Sequence, residues 1–269
     1  MGLTSPLWGR VTHRDLILSL LLGVVLVPNL FGLFAGLLIP IVTGVPSAAA
    51  GQGTTLLIAG FAQEITLILL AVRLVRRRLM LPVVHRPGNG DADELADWIG
   101  LGDPPALTYI IKGIGLGLLL LFAESVGSGL VYAGLAAMFG PERAMDMLEG
   151  SQVQMVNWMA ATSGTWQQYG LVLLLVAAGP LAEEIWFRGV FYPAWRTRWG
   201  VHRAIVAQSA VFGLLHLNWF AYPALFVVGA MLTLIYERQR SLWPAVFAHA
   251  TLNAMVIIGI VLQRGWLQS

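Results

Sequence analysis

Long apolar runs separated by short polar stretches organise the chain. The first run extends from about residue 16 to 42, interrupted by Pro28 and Asn29. The second extends from about 54 to 75 and ends in Arg73, Arg76, Arg77 and Arg78. A polar, acidic loop over roughly 82–104 follows, with Pro87, Gly88, Gly90, Asp91, Asp93, Glu94 and Asp97. The third run starts near Ala106 and reaches Phe139, long enough for a tilted helix or a helix plus a re-entrant piece. A second polar stretch, about 140–167, carries Glu142, Arg143, Asp146 and Glu149. Four shorter runs follow, about 169–192, 204–220, 222–236 and 242–263. They are separated by Arg196, Arg198 and Arg203, by Tyr222-Pro223 and by Glu237-Arg238-Gln239-Arg240. Because ~18–20 apolar residues cross a bilayer as helix, the pattern predicts an all-α, polytopic transmembrane bundle of about seven spans (six to eight).

Topology follows from the basic residues. With a cytoplasmic N-terminus and alternating spans, nearly every arginine falls on the cytoplasmic side, Arg143 and Arg264 excepted, as the positive-inside rule requires. Arg10 and Arg14 before the first run, and Ala48-Ala49-Ala50 after it, could suggest a cleaved signal. That run is far longer than the ~7–15 residues of a signal core, so a retained span is expected. Gly113, Gly115 and Gly117 in the third run are expected to let helices pack closely.

Composition narrows the class. Of 269 residues, 57% are apolar and 11% charged, against roughly 25% charged in soluble domains, which excludes a soluble fold and a disordered chain. Continuous Leu-, Ala- and Val-rich runs argue against a β-barrel, whose strands alternate. With no cysteine, disulfides and thiolate metal sites are excluded. The formal net charge of +2 comes from arginines flanking spans rather than from a stripe suited to a nucleic-acid backbone, so no nucleic-acid partner is expected.

Ionisable groups inside spans cost about 2.5–3.5 kcal/mol each, so those present are informative. They are Glu64, Lys112, Glu124, Glu183, Glu184, Arg188, His216 and His249, with Asn253 as an uncharged companion. Glu184 and Arg188 are four apart and share a helix face, where an ion pair offsets the cost of both. Glu183 lies about 100° round the helix, without that partner. Phe212 and His216 repeat the i,i+4 spacing, as do His249 and Asn253. Glu64, beside Gln63, and Glu124 read as packing partners of Lys112 or as residues of water-lined cavities.

By depth, Glu183 falls roughly 20 Å from the outer end of its span, His216 about 18 Å and His249 about 10 Å from the cytoplasmic starts of theirs. These layers overlap and allow the three to converge. A buried carboxylate with two histidines suits general-base chemistry. There is no HExxH pair. Val126-Gly127-Ser128-Gly129 and Ala161-Thr162-Ser163-Gly164 both lack the first glycine of G-x-S-G, and every Asp lies in a loop or flank. Glutamate/histidine chemistry remains.

Glu183-Glu184-x-x-x-Arg188-Gly189, Phe212-x-x-x-His216 and His249-x-x-x-Asn253 resemble the three signature motifs of the CPBP family, the CAAX-protease and bacteriocin-processing (Abi) group. Ser241-Leu242-Trp243-Pro244 resembles the lead-in to that family's third motif, while Gln239 and Arg240 stand where members often have smaller residues. The resemblance covers about residues 170–260. It implies a helical intramembrane endopeptidase acting on membrane-associated proteins or peptides, its site opening to the cytoplasmic half of the bilayer. Glu183 with His216 would activate a water, His249 and Asn253 would stabilise the oxyanion, and Glu184 with Arg188 would support the helix. The family has also been described as metal-dependent. No cofactor is expected here, and the alternative is zinc held by Glu183, His216 and His249.

The expected organisation is an N-terminal membrane region with its polar loop (1–105), a third span with an external polar segment (106–168) and a catalytic core (169–269). The expected location is the cytoplasmic membrane of a prokaryote, multi-pass. Two other classes stay open on the residues alone. One is a non-catalytic immunity or chaperone-like membrane protein. The other is a proton-coupled transporter using Glu64, Glu124, Glu183 and the histidines as a relay, though no internal repeat supports it.

Overall fold

The computed structural model describes residues 5–43, 51–80, 91–102, 105–148 and 165–268, and those residues are helical with short connections. The expected features at Ala48-Ala49-Ala50, Pro87, Gly88, Gly90, Glu149 and Ala161-Thr162-Ser163-Gly164 lie outside them. Helix α1 consists of His13–Leu20, Leu21–Leu26 and Val27–Thr43 end to end, and α2 of Gly51–Val75 and Arg76–Met80. Then come α3 (Asp91–Ile99), α4 (Leu107–Phe139) and α5 (141–148). Helix α6 joins Trp166–Leu173, Leu174–Ala178, Gly179–Trp186, Phe187–Phe191 and Tyr192–Trp199. It is followed by α7 (Val201–Leu215), α8 (Tyr222–Gln239) and α9 (Trp243–Gln268).

Each of the seven apolar runs contains a helix, although the run expected over 204–220 leaves the helix after Leu215. Five stretches are long and apolar enough to cross a membrane: His13–Ala35, Thr54–Leu79, Leu107–Phe139, Trp166–Trp199 and Trp243–Leu262. Helices α7 and α8 are the shorter members. The chain is an integral, multi-pass membrane protein with an all-α bundle.

One departure lies in the acidic stretch read as loop, where α3 forms. Its Leu95, Trp98 and Ile99 follow i, i+3, i+4 spacing and make an apolar stripe. Trp98 and Ile99 are buried, and the Trp98 ring meets Trp8 edge-on, 5.9 Å between centroids.

Helix α6 is the centre of the bundle. Half of its most apolar window is buried, against 11% for α4, whose Phe122 and Leu130 face outwards as a lipid-contacting surface does. Helix α4 packs along α9 and α8, α1 along α2, and α2 along the Gly179–Trp186 part of α6. Close approach of α4 and α9 requires glycine. A Cβ on Gly113 would collide with Phe247, and one on Gly117 would stand 2.7 Å from the Ala248 carbonyl oxygen. Gly115 faces open space, so two of the three expected packing glycines serve that role.

Proline shapes the long helices. Wide, π-helical turns at Leu21–Leu26, Leu174–Ala178 and Phe187–Phe191 are each followed by an α-stretch whose second residue is proline: Pro28, Pro180 and Pro193. Proline has no N–H and its ring crowds the carbonyl four residues back. A widened turn relieves the crowding, and such turns concentrate at functional sites.

Candidate active site

The eight-residue stretch Gly179–Trp186, framed by two widened turns of α6, presents Glu183 and Glu184 on adjoining faces. Their surroundings differ. Glu184 and Arg188 are both completely buried and paired, Arg188 Nη1 donating to Glu184 Oε1 at 2.8 Å. Arg188 Nη2 donates to the Gly229 carbonyl of α8 at 3.0 Å. Its guanidinium carbon lies 4.7 Å from the centre of the Phe212 ring of α7, a cation–π contact. This is the i,i+4 pair expected from the spacing, now seen to tie three helices together.

His249, on α9, joins the same carboxylate: its Nδ1 lies 3.0 Å from Glu184 Oε1. A carboxylate accepts, so Nδ1–H donates and Nε2 is turned to the remaining side. His216 ends α7 and is exposed, with its Nδ1 2.8 Å from the Phe212 carbonyl. A carbonyl also only accepts, so the neutral His216 ring keeps a lone pair on Nε2. Both histidines pack on Phe212, at 4.7 Å for His216 and 6.0 Å for His249 between centroids. Phe212 is thus the hub on which Arg188, His216 and His249 converge.

Asn253 is one turn after His249, and its Nδ2 donates to the Leu175 carbonyl at 2.8 Å. The widened turn explains why that carbonyl is free. In the π-helical register Gly179 N–H bonds the Leu174 carbonyl, so the next residue would serve Leu175, but it is Pro180. The asparagine supplies the missing donor, fastening α9 to α6 about two turns before Glu183, and its amide retains a second N–H.

Glu183 is half-buried, and its Oε2 is buried without a hydrogen-bond partner. Lys112 donates to Gln239 Oε1 at 3.4 Å and Glu124 accepts from Ser128 at 3.3 Å, so the expected pairing of Lys112 with Glu64 or Glu124 gives way to other partners. Gly189, last residue of the first motif, has a spatial reason to be glycine. A Cβ there would come 2.9 Å from the Ile99 carbonyl oxygen, and α3 docks through that gap. The Gly100 carbonyl then accepts from Leu242 N–H at 2.8 Å, tying the acidic segment to the start of the His249 helix.

Beyond the apolar run of α8, Glu237 collects three donors. Arg196 reaches it through Nε at 3.1 Å and Nη2 at 2.9 Å, Tyr192 hydroxyl at 2.8 Å and Arg240 at 2.9 Å. Burial pushes its carboxyl up, but hydrogen bonds from Arg196 and Tyr192 outweigh that and hold it below the usual range. Arginines read in the sequence as topology markers therefore also clasp α6 to α8.

Among the described residues no three His, Asp or Glu side chains stand together as a metal-binding group. His216 and His249 engage a carbonyl and a carboxylate through Nδ1, which leaves Nε2 open on both rings, an orientation that a ligating histidine also uses.

Comparison with known proteins agrees with the motifs. Residues 165–255 match the family described as Type II CAAX prenyl endopeptidase Rce1-like. A protein of Bacillus subtilis (strain 168) named "Putative membrane peptidase YdiL" is 26% identical over 88 residues, 33% of this chain and 36% of that protein. The chain thus aligns with about a third of the length of that relative, and no solved structure matches. Over this C-terminal segment the chain is similar to CAAX-protease-like membrane peptidases.

Proposed function

We propose that the chain is an intramembrane endopeptidase that hydrolyses membrane-associated proteins or peptides with a water activated by Glu183 and His216. The observation that carries this reading is the unequal treatment of neighbouring carboxylates. Glu184 is tied through Oε1 to Arg188 and His249, whereas Glu183 forms no ion pair among the described residues. Each keeps one buried oxygen without a partner, and only the carboxylate without a bound cation has the freedom a base requires. His216 offers the Nε2 lone pair to orient or relay a proton. Water oxygen attacks the peptide carbonyl while Glu183 takes its proton, and Glu183 later returns that proton to the leaving nitrogen. The negative oxygen formed between these steps is met by His249, whose ring is oriented by Glu184, and by the second N–H of Asn253. Such donors supply much of the barrier reduction in acyl transfer.

The location follows from the same reading: a prokaryotic cytoplasmic membrane, N-terminus inside. Comparative proteomics of membranes carrying wild-type protein or E183A tests the activity. Membrane proteins processed by the wild type and left uncut by the variant are expected, and identical processing in both would refute the reading. Metal stripping with direct metal analysis should leave cleavage intact. If activity vanishes and returns stoichiometrically with zinc, Glu183, His216 and His249 are ligands instead.

A further inference from the structure

We propose that Glu64, on the N-terminal helix α2, is a positioning residue of this site that accepts the second hydrogen of the water activated by Glu183. The proposal rests on the reading of Glu183 as base. Glu64 lies outside every motif and outside the segment shared with the peptidase family, yet its surroundings are those of a site residue. It is 6% exposed in the middle of an apolar helix, where an ionisable group is costly unless it is used.

Gln63 donates to its Oε1 at 3.3 Å, and its Oε2 is buried without a partner. Helix α2 packs against Gly179–Trp186. A Cβ on Gly179 would lie 4.0 Å from Glu64 Oε1, an ordinary contact distance, so the carboxyl stands beside the backbone there. Gly179 and Glu183 are four apart and share a helix face. Glu64 therefore packs on the face from which Glu183 projects, one turn away.

Counting donors leads to the role. Ionised carboxylates only accept, and Glu64 Oε2 and Glu183 Oε2, like Glu184 Oε2, are buried without a donor. Of the three, Glu184 alone already has its other oxygen bound to Arg188 and His249. Buried polar atoms in native proteins are almost always satisfied, and a water molecule has two hydrogens to give. With one hydrogen held by Glu64 and the other by Glu183, the oxygen lone pair is aimed away from both carboxylates, towards a substrate carbonyl. In the reaction the O–H facing Glu183 breaks and its proton moves to Glu183. The water oxygen bonds the carbonyl carbon, and the carbonyl pair moves to its oxygen. On collapse the C–N bond breaks, its pair stays on nitrogen, and nitrogen takes the proton from Glu183. Glu64 neither gains nor loses a proton in the cycle.

The test compares E64L and E64Q with wild type, reconstituted in vesicles with a fluorescence-quenched, lipid-anchored peptide library as probe. Misplacing a reacting group costs about 10²-fold. The expected result is that E64L loses about that factor in kcat with KM unchanged, while E64Q, which keeps an accepting oxygen, recovers most of the rate. E64L should melt no lower than wild type, since an apolar side chain removes the cost of an ionisable group within an apolar helix. Wild-type kcat in E64L, an equal deficit in both variants, or a deficit confined to KM overturns the proposal. A second readout is independent of turnover: the infrared carboxyl band that disappears in E64Q should shift in resting E183Q, and an unchanged band overturns the pairing. A shifted band in a protein whose E183A variant still cleaves removes the base assignment, and with it the role of Glu64, while leaving the contact.

Discussion

Replacing Arg188 with alanine is the most direct way to ask what holds the centre of the bundle. The substitution removes the bond to Glu184, the bond to the Gly229 carbonyl and the guanidinium over Phe212, all fully enclosed. These losses do not simply add. Gly229 keeps the Thr233 hydroxyl at 2.7 Å, so its carbonyl is not orphaned. The larger cost is the stranded Glu184 carboxylate. Breaking a buried pair by removing one partner costs about 3–5 kcal/mol, and because His249 still donates to Glu184 the low end applies. About 3 kcal/mol is roughly a hundredfold change in the folding equilibrium, enough to reduce accumulation and lower the melting temperature in detergent.

The double variant E184L/R188M removes both charges and keeps the volume. Apolar replacement of a buried pair is often neutral or better, so it should recover most of the stability. It should still be inactive, because His249 loses its carboxylate. Melting curves of the wild type, R188A and the double variant, recorded beside peptide cleavage, separate the two contributions. An R188A protein that melts within about 0.5 kcal/mol of wild type, or a double variant as unstable as the single one, refutes the reasoning.

Two further outcomes follow from the packing and the charge clasp. G113A and G117A should each destabilise the protein by about 1–3 kcal/mol through forced separation of α4 and α9, and should lower cleavage by displacing His249. G115A, facing open space, should unfold like wild type, and equal losses in all three would show that the interface is misplaced. Because Glu237 binds its proton less readily in the folded protein than in the unfolded one, the Arg196–Glu237–Tyr192 clasp contributes fully above the ordinary Glu range, near 4.5. That contribution is lost as pH falls below that range and through the lower folded value. E237Q should flatten the acid limb of stability against pH, and an unchanged limb would place the acid sensitivity elsewhere.

What could be read in the sequence was whatever local spacing fixes. Glu184 and Arg188 are one turn apart, so their pairing needs no knowledge of the tertiary structure, and the apolar runs announce their helices by length. The Glu184–His249 bond and the Phe212 hub depend on how α6, α7 and α9 rotate against one another, which periodicity does not specify. Glu64 gave a signal, a carboxyl inside an apolar run, but the partner that distinguishes packing from chemistry stands on another helix. Helix α3 was missed because its stripe of Leu95, Trp98 and Ile99 is confined to nine residues in an acidic stretch. Glu237 was hidden for the opposite reason: in a run of charges, nothing local shows that Arg196, forty-one residues earlier, supplies the bidentate partner.

The division of labour between Glu183 and Glu184 originates in the backbone breaks on either side of them. At Leu174–Ala178 and Phe187–Phe191 the N–H following each wide turn reaches back five residues, Gly179 to Leu174 and Tyr192 to Phe187. The proline that follows ends the pattern each time. Each widened turn shifts the faces of α6 relative to an uninterrupted helix, and each proline leaves a carbonyl in need of a donor. At Leu175 that donor is Asn253, which locks α9 in register and so brings His249 to Glu184. The second turn contains Arg188, whose guanidinium is thereby carried towards Phe212 and the Gly229 carbonyl. Once Arg188 and His249 have both been directed to Glu184 Oε1, the neighbouring Glu183 on the adjoining face stands outside that ion-paired group. Two adjacent glutamates of identical chemistry thus acquire different surroundings, one bound to a guanidinium and an imidazole and one not, from helix breaks at Pro180 and Pro193.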